Sequence, residues 1–279
     1  MATSAQDRSR TPEEEPGGKM SLGDHLRELR KRVTVAVLAV LALGVIGVVF
    51  YEPIVDILVS PFVRAAEDEG LNATINYAQV VDPFVIPLKI GLFTGIVLGA
   101  PVWIYQIWGF VTPALYRNEK KWAAAVVLIA APLFLAGVGL CLYLLPRGLT
   151  ALLGLTPDPV ANIVPINDYL TIIIRLLLIF GVGFLLPVFV VLLNALGVLT
   201  GKTLSNARPW IVVGVFVFAA VATPTGDPFT LLGLAVPMWL LFEIAVGVCR
   251  LNDRRQARLA GNDIDPDDAT PSDRLDELG

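Results

Sequence analysis

Two short charged stretches hold the side chains whose types and spacing could do chemistry. In SLGDHLRELRKRV, residues 21–33, Asp24 and Glu28 are threaded among Arg27, Arg30, Lys31 and Arg32; in PALYRNEKK, residues 113–121, Glu119 sits among Arg117, Lys120 and Lys121. Carboxylates so placed can receive guanidinium groups, because arginine binds a carboxylate through its planar fork with charge-assisted, often bidentate bonds. Simpler readings stand beside this one. Glu28 can pair with Arg32 at i+4 on a helix, and Glu119 can belong to a solvated charged loop. His25, the single histidine of the chain, is either a helix-start contact or a neighbour of a binding site.

Composition says what must hold these stretches. Of 279 residues 55% are hydrophobic and only 16% charged, and mean hydropathy is +0.70, which describes an integral membrane protein. Apolar runs at 33–51, 84–111, 122–146, 169–196, 210–222 and 229–248 predict an all-α fold of six transmembrane helices. The first four are long enough for a ~30 Å hydrocarbon core. The fifth offers only ~20 Å of helix, and Glu243 interrupts the sixth, so the two C-terminal spans are expected to be short and to thin the bilayer locally. The membrane domain is expected over 21–250. Acidic, disordered tails are expected at 1–20 and 251–279, where most of the net charge of −4 resides. The polar first 20 residues and the length of the first run predict an anchor rather than a cleaved signal peptide.

Arginine and lysine orient the spans. Arg27, Arg30, Lys31 and Arg32, then Arg117, Lys120 and Lys121, then Lys202 and Arg208, then Arg250, Arg254, Arg255 and Arg258 fall on one side, against Arg64 and Arg147 on the other. The positive-inside rule then puts both termini in the cytoplasm of a plasma-membrane protein. Asn72 begins an N-x-Thr sequon on an outer loop, a weak three-residue match. Ser21 and Asp24 resemble a capping box. Leu22, Leu26, Leu29 and Val33 share one face of the helix that follows, predicting a short amphipathic helix on the membrane surface. Pro87, Pro101, Pro132, Pro146, Pro187 and Pro237 should bend their helices into a concave bundle. Gly91, Gly95 and Gly99 allow a neighbouring helix to come close.

Several function classes are disfavoured. There is no HExxH, no serine and histidine paired in a span, no pair of intramembrane aspartates and no GxxxxGKS loop, so an enzyme lacks its parts. Cys141 and Cys249 show no metal or redox spacing and read as small hydrophobes; no metal, cofactor or nucleic acid is expected. A small-solute transporter fits a kinked six-helix bundle generically, but the spans carry too few converging polar groups for a midplane ion site and no internal repeat.

The segments HLRELRKR (25–32), PFVIPLKIG (83–91), APVWIYQIWGFVTPALYRNEKK (100–121), FGVGFLLPV (180–188), RPWIVVG (208–214), TP (223–224) and PMWLLFE (237–243) together resemble the TatC family, the polytopic subunit of the twin-arginine protein translocase. The resemblance runs through residues 20–250 in order. It implies a non-enzymatic receptor that binds twin-arginine signal peptides and, with single-span TatA- and TatB-type subunits in an oligomeric complex, moves folded proteins across the membrane on the proton-motive force. It also implies that Glu28 and Glu119 receive the two arginines, with His25, Leu29 and Arg30 shaping the site.

Other positions become supporting or partner-contact candidates. Pro83 and Phe84 lie in a matching segment. Where the family often has Glu or Gln in its fourth helix, this sequence has Leu185; the same helix carries Arg175, which either snorkels outward or makes a polar contact in the concave face. Lys89 is expected to snorkel. Gln106 either lines the groove or bonds a neighbouring helix. Glu243 is placed to pair with Arg208, and Asp227 to cap the helix starting near Phe229.

Overall fold

The computed structural model describes residues 22–70, 73–111, 119–155, 162–195, 197–223 and 228–259. These form nine helices and two short strands: α1 (Leu22–Val49), α2 (Tyr51–Asp68), β1 (Ala73–Asn76), α3 (Asp82–Leu98), α4 (Ala100–Val111), α5 (Glu119–Leu153), β2 (Asn162–Pro165), α6 (Ile166–Ala195), α7 (Gly201–Asn206), α8 (Arg208–Ala222) and α9 (Pro228–Leu259). Asn72, Asp227 and both terminal tails beyond 22–259 lie outside the described residues.

Among the described residues four helices are long and apolar enough to cross a membrane: the bulk of α1, Leu128–Leu153 of α5, α6, and Pro228–Gln256 of α9. A fifth crossing results if α3 and α4 count as one span bent by 60°. Helix α8 is a separate, shorter apolar helix of 15 residues, ~22 Å long. The six apolar runs therefore correspond to four full helices, one broken pair and one short helix.

The break between α3 and α4 has a local cause. Gly99 ends α3, its carbonyl accepts from Val102 and Trp103 in the next turn, and Pro101 has no N–H to continue the ladder. Trp103 instead donates its indole N–H to the Ile96 carbonyl at 2.9 Å, satisfying an oxygen that the break would otherwise leave open. On α1, Gly44 and Gly47 face Gly91 and Gly95 of α3. A Cβ on Gly44 would lie 3.0 Å from the Gly91 carbonyl oxygen, and one on Gly95 would meet the Val40 carbonyl. The glycines thus let the two backbones touch.

Three expectations need correction. The surface helix anticipated before the first span is not a separate element: α1 is continuous from Leu22 to Val49, because nothing between Arg32 and Thr34 breaks a helix. The last span is not short: α9 runs for 32 residues. Its polar end, LNDRRQARL, stays helical into residues expected to be tail, since Arg, Gln, Leu and Ala are good helix formers. Finally, the segment taken as an outer loop, 52–83, contains α2 and β1. Helix α2 packs Leu58, Phe62, Ala65 and Ala66 into the core, and Tyr169 of α6 donates to the Leu58 carbonyl at 2.8 Å. Strand β1 pairs in parallel with β2, Thr74 opposite Ile163, tying two distant connections together at one end of the bundle, the strand end. The core lies between α2, α5 and α6, around Phe134, Leu170, Leu177 and Phe180.

Candidate functional site

At the opposite, basic end, the first turns of α1 pack on the last turn of α4. The His25 ring meets Phe110 with centroids 4.5 Å apart. One turn further along α1, Glu28 Oε1 accepts from Arg32 Nη2 at 2.6 Å and Nε at 3.0 Å, the i+4 pairing that spacing allowed. The Arg32 guanidinium lies directly against Gly109 of α4, near the helix C-terminus, where backbone carbonyls favour a cation. Both side chains remain about a quarter exposed, 23% for Glu28 and 24% for Arg32. Both bonds end on Oε1, which orders the carboxylate on the surface of α1. Arg30 is exposed and Leu29 half-buried.

Glu119 is the first residue of α5, and α5 packs on α4; its side chain is outside the described atoms. Gln106 is half-buried on α4. The structure therefore brings His25, Glu28 and Arg32 to the end of α4, with the α5 start following from it.

The remaining candidates are elsewhere. Pro83 and Phe84 lie in the first turn of α3 at the strand end, both exposed. Lys89 does not snorkel: its ammonium reaches across to α6 and donates to Thr171 Oγ1 at 2.6 Å, to the Asn167 carbonyl at 3.2 Å and to Asn167 Oδ1. Three neutral acceptors close by satisfy its three donors better than a detour to water. Arg175 is exposed on α6 and has no hydrogen bond or ion pair among the described residues. Leu185 is half-buried and packs against the core. Glu243 pairs with Arg208 at 2.8 Å, linking α9 to the start of α8.

Two polar arrangements were not anticipated. Asp82 is fully buried, and its Oδ2 accepts from the backbone N–H of Ala78 at 3.2 Å and Gln79 at 2.9 Å, fixing the turn before α3. At the basic end Asp253 of α9 accepts from Asn194 Nδ2 at 2.7 Å and from the Gly201 N–H at 2.6 Å, while Asn252 donates to Asn194 Oδ1 at 3.1 Å. The only sequence sign of the second was Asn194 closing an apolar run, followed by Gly197, which ends α6 at φ +72° as a left-handed C-terminal glycine does. Among the described residues no three His, Cys, Asp or Glu side chains converge to hold a metal ion.

Apolar helices of spanning length, a broken helix and a charged rim define a multi-pass helical membrane protein with its polar groups gathered at helix ends. Residues 24–237 match the family of the Sec-independent protein translocase protein TatC. A protein of that name from Frankia casuarinae is 40% identical over 95% of this chain and 76% of its own length. The one from Rothia mucilaginosa is 34% identical over 100% and 97%, and that from Escherichia coli K12 33% identical over 80% and 85%. A solved crystal structure of the twin-arginine translocase receptor TatC superposes with a TM-score of 0.67 at 30% identity, covering 81% of this chain and 98% of its own. This chain belongs to the TatC family. It is a multi-pass membrane subunit of the Sec-independent protein translocase, a transport component and not an enzyme.

Proposed function

We propose that this chain is the receptor subunit that captures twin-arginine signal peptides at the cytoplasmic face of the plasma membrane. With single-span TatA- and TatB-type subunits in an oligomeric complex, it then exports folded proteins on the proton-motive force. In this reading the chain crosses six times, with α3 and α4 as one bent span and α8 as a short one. Both termini are cytoplasmic, in keeping with the arginines at the start of α1 and the end of α9.

The observation that carries the reading is Glu28: a carboxylate ordered through one oxygen by Arg32 and still about a quarter exposed at the basic end of the bundle. The surrounding Arg27, Arg30 and Lys31 repel a basic peptide, so its capture has to come from carboxylates that offer geometry as well as charge. An arginine fork meets that geometry and a lysine does not. Glu119, opening α5, supplies the second acceptor, and His25, Leu29 and Arg30 shape the surface between. Pro83, Phe84, Gln106, Lys89, Arg175, Leu185, Asp227 and Glu243 serve support or partner contact.

The test is binding of an Arg-Arg signal peptide to the solubilised protein, compared with Glu28→Gln, Glu119→Gln and a Lys-Lys peptide. Each change is expected to cost about 1.5–3 kcal/mol, as for a hydrogen bond to a charged group. Equal binding of both peptides, unaffected by either glutamate, would overturn the assignment.

A further inference from the structure

An open apolar groove of about 300 Å3 lies where α5, α6 and α9 meet, lined among others by Ile129, Leu133, Val188, Val191, Ile244 and Val248. Among the described residues no polar side chain lines it. Ile129, Ile244 and Val248 are exposed, so the groove opens sideways toward the hydrocarbon rather than into the protein.

What distinguishes it from any lipid-facing surface is its continuation. Beyond Val248 the same face of α9 passes through Asn252 to Arg255, two turns and ~10 Å further on, with Arg258 one turn beyond. Both arginines are exposed and have no ion pair among the described residues. The nearby carboxylate, Asp253, cannot neutralise them from where it is held: its two oxygens face Asn194 and the α7 backbone. An apolar trough thus continues along α9 to two exposed guanidinium groups that no carboxylate among the described residues pairs with.

We propose that this is a binding site for one anionic phospholipid, with an acyl chain in the groove and the phosphate on Arg255 and Arg258. Charge complementarity selects the occupant. A partner helix with an apolar surface would fill the groove but leave both arginines unmatched, whereas a phosphate accepts from both in fork geometry. Basic pockets between spans at the arginine-rich face bind such headgroups. On the orientation proposed above the lipid belongs to the inner leaflet. Its α5 residues, Ile129 and Leu133, lie ten or more residues beyond Glu119, ~15 Å along the helix, so it is separate from the peptide site.

The experiment is native mass spectrometry of the full chain, released from membranes of phosphatidylglycerol and phosphatidylcholine in equal amounts. One retained phosphatidylglycerol per chain is expected, preferred about tenfold. The Arg255→Gln/Arg258→Gln variant should lose the preference, and Ile244→Trp, which fills the groove from its exposed side, should lower retention of either lipid. Arg-Arg peptide binding, measured on the same samples, should be unchanged, so that failure here is distinguishable from failure of the receptor reading. An unchanged preference in the arginine variant overturns the proposal. So does a preference that appears only after residues 260–279 are removed, which would identify the acidic tail as the occupant of the arginines. Loss of a copurifying single-span protein rather than of lipid in Ile244→Trp would reassign the groove to a partner helix.

Discussion

The guanidinium of Arg32 fills the space that a side chain on Gly109 would need, so the Glu28–Arg32 pair takes its place against the last turn of α4 in room that glycine leaves. The pair is a surface ion pair by exposure, and such pairs contribute little to stability. Its value lies in fixing where the Glu28 carboxylate points. Gly109→Ala should therefore leave the fold intact, since helix propensity favours alanine by up to ~1 kcal/mol, yet displace Arg32. Peptide affinity is expected to fall by about 1 kcal/mol, the worth of one ordered hydrogen bond. Titration of the signal peptide against Gly109→Ala checks this; affinity equal to wild type would mean that Arg32 does not orient Glu28.

The glycine contacts between α1 and α3 separate close approach from simple absence of a side chain. At Gly95 a Cβ would collide with the Val40 carbonyl and stand 3.0 Å from the Gly44 nitrogen, all of it backbone that cannot swing aside; at Gly139 on α5 nothing lies within 4 Å. Gly95→Ala should destabilise the purified protein by about 1–3 kcal/mol, as overpacking does, seen as a lowered midpoint in thermal unfolding in detergent. Gly139→Ala should be neutral or stabilising. If both behave alike, the α1–α3 contact is looser than its geometry.

Asp253 joins the C-terminal part of α9 to the connection between α6 and α7. Asn194 is 2% exposed, and its amide gives one hydrogen to the Leu199 carbonyl at 2.8 Å and the other to Asp253. Asp253→Ala removes an acceptor from this buried donor and from the Gly201 N–H together, costing about 1–3 kcal/mol for each group left unsatisfied. Asp253→Asn keeps one acceptor and should recover part of the loss. Proteolysis of the 197–207 segment is the readout: faster cleavage in the alanine variant, intermediate in the asparagine variant. Equal rates would show that α7 holds its place without Asp253.

How far the sequence foretold this arrangement depended on the range of the interaction. Apolar runs report on solvent, so the helices of spanning length were visible, as were i+4 partners such as Glu28 and Arg32. Arg208 and Glu243, which lie on different helices, were paired by expecting charges near helix ends to find each other. Helix α2 was missed because Glu52, Asp56 and Arg64 break its hydropathy. Its apolar residues are spaced for one buried face rather than for lipid, and a search for spans does not register that. Strands β1 and β2 are four residues each, too short for a period, and they pair across a long stretch of chain. Lys89 was misjudged for the same reason: Asn167 and Thr171 are remote in sequence, and local reading offered only water as a partner.

The short α8 leads to the last prediction. Fifteen residues give ~22 Å against a hydrocarbon thickness of ~30 Å, and α8 packs along α9, whose Glu243 is held by Arg208 at the α8 start. On the six-span reading proposed above, a crossing this short is accommodated by local thinning of the bilayer. On the same reading, a thinned patch lowers the barrier to moving a folded protein past it. Inserting four leucines after Phe216 adds ~6 Å and relieves the mismatch without touching α1, α4 or the start of α5. Export of an Arg-Arg cargo should fall severalfold in vesicles while binding of its signal peptide stays at the wild-type level. Export at the wild-type rate would exclude thinning by α8 from the transport step, and reduced peptide binding would show instead that the insertion had disturbed the bundle as a whole.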